Sequence, residues 1–383
     1  LASIPATDRW APGYYHSFGI TDSFFILFES PLRISLQKLI KMCVSSFISH
    51  DQIDLSKNLA LLWRRHQKSS LKLRRMLGKK VTSDAFFTFH HANSYEKDGY
   101  LVLDYAKILN PGNLDDLLLE HMRTGAFRSK DEQSRVGRVP EYCNHDLRVL
   151  AYQPPVFSQR GCQAVQRTPG CAIVYFVLLG NPDSLQNSGF KPYIHRMIIP
   201  LSVSDDSEPG DNLLANCEFA RDCKAVLRDD GSIHCTDMRI CDVSMEFPRY
   251  CYDLNMQDYR YVYGSVLFHE ESEKPGVCSV VTIRYQNPLF GLIVKVDLKE
   301  GNHEVWYKDS ADELCGEPIL VNRPDYTEED EGVLIVPVVT TREGESPYVV
   351  VIDAATMKEQ GRFDIPQSRI PLGFHSHYTS RRQ

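Results

Sequence analysis

Five residues far apart in the chain have the side chains and surroundings of a transition-metal site. Three are histidines: His16 in YYHSFGITD, His90 in FTFHHANSYE and His375 in PLGFHSHY. Two are glutamates: Glu246 in MEFPRY and Glu317 in GEPILVNRP. A neutral imidazole offers a lone pair to a divalent metal, and a carboxylate on its other nitrogen fixes the tautomer and raises its basicity. No local zinc-type spacing joins these histidines, so only the fold can bring them together. Proline follows Glu317 directly and Glu246 after one residue. That favours extended backbone, as in a strand or at its end. A carboxylate facing inward from a strand is costly without a partner. Taken singly, each histidine reads more readily as a hydrogen-bonded core residue than as a ligand, and each glutamate could bond backbone or arginine.

The elements that must position these residues are mostly strands. Residues 23–29, 99–105, 171–180, 195–203, 332–339 and 348–353 are rich in β-branched and aromatic side chains, and Gly, Pro, Asn and Asp clusters bound them. Segments 291–307 and 348–365 each read strand, polar turn, strand, with Asp297 and Asp353 at matching positions. A repeated antiparallel unit of this kind suits a β-propeller blade, while pattern alone leaves a sandwich or barrel open. Helical signals are few. Residues 32–48 place Leu36, Leu39, Ile40, Cys43 and Val44 at helical spacing, and residues 114–122 form a second short amphipathic candidate. The first reads either as a helix packed on its own protein or as one lying flat in a membrane interface.

Nine lysines and arginines fall between Lys57 and Lys80, with no acidic residue between Asp54 and Asp84. Such a run is either a solvated surface loop or an attractor of anionic lipid. A net charge of −7 argues against nucleic acid as the partner. Residues 204–212 read as an exposed acidic loop. The eleven cysteines are scattered, which suggests free thiols in a reducing, cytoplasmic setting rather than a disulfide framework. No run reaches the roughly 20 apolar residues of a membrane span.

The motifs resemble, in content and in order, those of the carotenoid cleavage oxygenase family. They are Y-x-H-S-F-G-I-T-D, F-H-H-A-N-x-Y-E, E-F-P-R, E-P-I-x-V-x-R-P followed by E-E-D-E-G, and P-L-G-F-H-S, and they run from Tyr14 to His377. The animal branch, with its beta-carotene oxygenases and the retinal pigment epithelium isomerohydrolase, is the more similar one. The resemblance implies an all-β fold, a seven-bladed β-propeller with Fe(2+) on its axis held by four histidines. His16, His90 and His375 match ligand positions, whereas His91 and His377 do not. Glu246 and Glu317 match carboxylates that hydrogen-bond ligand imidazoles, Glu246 supporting His90 and Glu317 supporting His375. The resemblance also implies a single domain over 1–383 that lacks about the first third of the family domain. The fourth histidine and the partner of His16 would lie in that third. A fragment of this kind is expected to be inactive alone.

The function so implied is oxidative cleavage of a carotenoid double bond by dioxygen, with beta-carotene giving retinal. The alternatives are a retinyl ester isomerohydrolase, in which the same iron serves as a Lewis acid, and a non-catalytic carotenoid-binding propeller. Tyr14, Phe89 and Phe374 are candidate walls of an apolar substrate tunnel. Segment 32–80 is the candidate for peripheral membrane contact, since carotenoids partition into bilayers.

Overall fold

Val, Ile, Leu, Tyr and Phe crowd the strand-forming runs, and where these runs are described they fold mainly as strands, with 23–24, 99 and 201–203 falling outside them. The computed structural model describes residues 8–29, 32–34, 36–37, 40, 80–109, 192–266, 292–310, 313–340, 344–366, 370 and 375–379, with the backbone of 61–63 and 69–73. Five sheets result. A mixed sheet has the spatial order β1 (Gly19–Ile20), β2 (Phe25–Glu29), β5 (Ser69–Leu73), β6 (Val81–Ser83), β11 (Ile233–Thr236), β10 (Lys224–Leu227). In it β6 and β11 pair in parallel and the other neighbours are antiparallel. A small ladder joins β3 (Leu32–Ile34) to β4 (Leu61–Trp63).

Three antiparallel sheets follow. The second sheet runs from β7 (His91–Lys97) through β8 (Tyr100–Lys107) and β9 (Tyr193–Pro200) to β12 (Met238–Ser244). The third runs from β13 (Glu246–Arg249) through β14 (Tyr261–Val266) and β15 (Leu292–Asp297) to β16 (His303–Tyr307). In the fourth, β17 (Glu313–Cys315) and β18 (Ile319–Asn322) share β19 (Gly332–Thr340), followed by β20 (Tyr348–Asp353) and β21 (Glu359–Asp364).

These sheets stack face to face. Successive side chains on a strand point to opposite faces. On β14 and β15, Val262, Val266, Leu292, Val294 and Val296 join the large core shared with the second and mixed sheets. Tyr263 and Ile293 point the other way, into a second core with Leu334, Val336, Val338, Val350 and Ile352 of the fourth sheet. With both faces covered, β8 and β15 are buried almost end to end. That is why apolar residues occupy consecutive positions in them, Leu101–Val102–Leu103 and Leu292–Ile293–Val294, rather than alternate ones.

The two similar segments noted in the sequence form equivalent hairpins, β15–β16 and β20–β21. Asp297 Oδ1 accepts from the backbone N–H of Lys299 and Glu300, and Asp353 Oδ1 accepts from that of Thr356. Such Asx contacts are what fold a short polar turn. All-β architecture is therefore observed; among the described residues the sheets do not close into a ring of seven.

Two expectations need correction. Segment 32–48 does not begin as a helix. Residues 32–34 are strand β3, and within this segment helical backbone occurs at 36–37 and 40 among the described residues. The cause is local: Tyr14 N–H donates to the Leu32 carbonyl, Ile34 N–H donates to the Pro12 carbonyl, and Arg33 is buried against Glu29 at 2.8 Å. The basic run from 57 to 80 is not simply a loop, because it contributes β4 and β5 to sheets. Residues 204–212 are mostly exposed, as expected. The 114–122 helix candidate and strand candidate 171–180 lie outside the described residues. Cys217, Cys223, Cys235, Cys241, Cys251 and Cys315 are free and buried. No helix among the described residues is long and apolar enough to cross a membrane.

Candidate metal centre

His90 immediately precedes β7, the edge strand of the second sheet. Its carbonyl accepts from Ala106 N–H of β8 and from the Thr88 hydroxyl, which pins the backbone. Its Nδ1 lies 2.6 Å from Glu246 Oε2, at the start of β13. Glu246 is 3% exposed, and the same Oε2 accepts the N–H of Phe247 at 2.9 Å. The neighbouring His91 faces away. Its ring stacks on Phe28 at 5.2 Å and its Nδ1 lies 2.9 Å from the Ser17 hydroxyl. Burial, reinforced by the adjacent His90, pushes His91 down to about 3, so it stays neutral.

His375 has the matching arrangement. Its Nδ1 is 3.2 Å from Glu317 Oε1. Glu317 is also 3% exposed and sits in the break between β17 and β18. Its second oxygen accepts from Arg249 Nη2 and from Ser376 N–H, both at 2.7 Å. His377 is exposed and stands outside the cluster.

His16 arrives just before β1. Ser17 fastens this segment to the start of β7: its hydroxyl donates to the Phe89 carbonyl at 2.7 Å and accepts His91 N–H at 2.9 Å. Tyr14, expected as a tunnel wall, has its hydroxyl 3.2 Å from His16 Nδ1. Burial, then the nearby His90 and His375 imidazoles, hold His16 below the ordinary histidine value, with Glu246 opposing. Its ring is therefore neutral near pH 7.

The structure thus brings His16, His90 and His375 together, one nitrogen of each lying within 4.8 Å of the others. The rings of His16 and His375 each meet that of His90 nearly at right angles, at 88° and 82°, and are tilted by 40° to one another. A carboxylate only accepts hydrogen bonds, so the proton of His90 and of His375 sits on Nδ1 and Nε2 carries the lone pair. The two Nε2 atoms are 3.3 Å apart. Lone pairs facing each other at that distance repel unless a cation lies between them. Donors at ~2.1 Å from one ion and at right angles to each other stand roughly 3 Å apart. Glu246 Oε1 is buried without a hydrogen bond among the described residues, which leaves negative charge beside the cluster. All three observations fit a divalent metal of imidazole preference, iron included.

Aromatic rings line the cluster. Phe89 meets His16 edge-on at 5.4 Å, and Phe247 lies 5.4 Å from His90 and 5.8 Å from His375. Phe374 lies outside the described residues. Sequence reasoning assigned no role to Ser17, Phe247, Arg249 or Ser376. The motifs that contain them were the available signal, but hydrogen-bond partners across sheets cannot be read from spacing.

The chain is similar to known proteins. Residues 2–380 match the family model described as retinal pigment epithelial membrane protein. The chain is 25% identical over 382 residues to the human carotenoid-cleaving dioxygenase, mitochondrial, covering 98% of this chain and 52% of that protein. It is 24% identical over 372 residues to human beta,beta-carotene 15,15'-dioxygenase, covering 95% and 52% respectively. The chain therefore spans about half the length of these curated relatives. Among solved structures, cobalt-substituted Synechocystis ACO superposes with a TM-score of 0.52 at 16% identity, over 95% of this chain and 52% of that one. An ACO/RPE65 chimera gives 0.53 at 16% identity, over 95% and 53%. These two similarities bear on the fold. With the family model matched over nearly the whole chain, the protein belongs to the retinal pigment epithelial membrane protein family of carotenoid oxygenases.

Proposed function

We propose that this protein is an iron(II)-dependent carotenoid dioxygenase, which splits a polyene double bond with O2 into two carbonyl fragments. The observation that carries the reading is the convergence of three imidazoles, two of them backed by buried carboxylates. His16, His90 and His375 would be ligands to ferrous iron, and Glu246 and Glu317 would hold two of those rings and balance the metal's charge. The setting is a single domain over 1–383, read as part of a seven-bladed propeller with the iron on its axis.

Ferrous iron, when bound, supplies a site at which dioxygen is bound and activated. The protein's own residues do the rest. Glu246 and Glu317 keep Nδ1 protonated on their histidines and so keep Nε2 free to coordinate. Both carboxylates bond the far side of their imidazoles, so neither would occupy a coordination position on a bound ion, and room would remain there for dioxygen. Phe89 and Phe247 present apolar faces beside the cluster, and Tyr14 holds His16 from behind. A rigid apolar polyene is the substrate such a wall excludes water around. Membrane contact through 32–80 would deliver it from a bilayer.

The test is to load the full-length protein with Fe(II), supply beta-carotene and dioxygen, and identify products by mass. Retinal alone supports central cleavage, and an unequal pair of carbonyl products supports eccentric cleavage. Conversion of a retinyl ester without consumption of dioxygen would overturn the dioxygenase reading in favour of isomerohydrolase chemistry. Carotenoid bound but unchanged would leave only a binding protein.

A further inference from the structure

Arg249 ends β13, and nothing in its sequence position ties it to His375, 126 residues later in the chain (375 − 249). Glu246 and Arg249 are three residues apart, so on a regular strand they would face opposite ways. The register of β13 on β14 shifts between them: Glu246 lies opposite Ser265 and Arg249 opposite Tyr263. One extra residue is therefore accommodated, with Phe247 at φ 55°. A bulge of this kind re-aims side chains. Here it lets both Glu246 and Arg249 address the cluster.

A single nitrogen of Arg249, Nη2, donates to Glu317 Oε2 and to the Ser376 carbonyl, each at 2.7 Å. Ser376 N–H returns a bond to the same Glu317 oxygen at 2.7 Å. The residue after the histidine is thus gripped at both its N–H and its carbonyl. Glu317 is left with Oε1 for His375 Nδ1. Residues 375–379 form no strand or helix, so no ladder of their own fixes this arm.

We propose that Arg249 is the positioning residue for the His375 arm of the centre. It holds the backbone at Ser376 and orients Glu317, and through both it sets where the His375 lone pair points. The inference rests on the metal-site reading above. Because one nitrogen makes both bonds, a lysine ammonium can replace it, whereas a methionine of similar length cannot.

The experiment compares wild type, Arg249→Met and Arg249→Lys as intact protein. Each is titrated with Co(II) followed by its visible absorption, and the Ser376 amide is followed by hydrogen exchange without metal. The expected result is a ten- to hundred-fold loss of Co(II) affinity in Arg249→Met, about the size seen when a partner behind a metal ligand is removed. Faster exchange at Ser376 should accompany it, and both changes should be largely reversed in Arg249→Lys. If Arg249→Met does not fold, Arg249→Gln is read against Arg249→Lys in the same way. Wild type that binds Co(II), beside an Arg249→Met that binds equally well, overturns the positioning role and leaves the metal reading intact, whatever the exchange rate. Wild type that takes up no Co(II) overturns the metal reading. In that case the exchange comparison decides the clamp alone, and unchanged Ser376 exchange overturns it.

Discussion

His90 and His91 are adjacent in sequence and opposite in chemistry. Because consecutive residues at a strand edge face opposite ways, one imidazole meets Glu246 while the other stacks on Phe28. Burial, then His90, holds His91 near 3, far below the ordinary 6.5. Between those two pH values the unfolded chain binds a proton that the folded chain refuses. Stability contributed by neutral His91 is therefore complete above about pH 6.5. It is lost as pH falls from there toward 3, at up to about 1.4 kcal/mol per pH unit. Replacing His91 with Phe should flatten this acid-side slope, as measured by urea unfolding at pH 7 and pH 5. Ser17 would keep its bonds to the Phe89 carbonyl and the residue 91 N–H in that variant. An unchanged slope would show that His91 is not the group responsible.

At the level of elements, the three antiparallel sheets share one irregularity. Each edge strand nearest the site carries one residue more than its neighbour needs: between His91 and Ser94 on β7, between Glu246 and Arg249 on β13, and between Cys315 and Ile319 where β17 gives way to β18. Each extra residue lies at or next to a residue of the cluster. Gly264 on β14 makes room for the second of these. A Cβ there would stand 2.6 Å from the Glu246 carbonyl oxygen and would also strike the Met245 side chain. Gly264→Ala should therefore displace β13, lower stability and weaken metal uptake together, readable as a lower melting temperature and a weaker Co(II) titration. A variant with lowered stability and unchanged metal affinity would show that β13 tolerates the shift. The same irregularities mark where the sequence stops being legible. The histidines, the glutamates and most strands could be read from motif and composition. Ser17, Phe247 and Arg249 could not be assigned, because strict alternation puts Glu246 and Arg249 on opposite faces and only the observed register reverses that. Residues 32–34 were misread for a related reason: helical spacing of apolar residues was outweighed by the bonds that Leu32 and Ile34 make to the 12–14 segment.

Across the whole molecule, stacked sheets leave little solvent at their centres, and charges there must be paired. Asp104 on β8 is fully buried and receives two bonds from Arg196 on β9, Nε to Oδ1 and Nη2 to Oδ2, each at 2.8 Å. Removing one partner strands the other charge. Arg196→Met is expected to cost about 3–5 kcal/mol, and the double change Arg196→Met with Asp104→Leu to recover much of it. Denaturant melts of both variants test this, and equal loss in single and double variants would refute it. Metal uptake by the folded fraction should not change, because this pair lies on strands outward of the site. The odd residue in each rim strand has a further consequence for how such a chain can diverge. Substitutions can accumulate through the outer strands while side-chain direction is preserved. A one-codon gain or loss at 246–249 or 315–319 would instead turn a glutamate to the opposite side of its sheet. Length at these two short stretches, more than identity elsewhere, is what inheritance of the site must conserve.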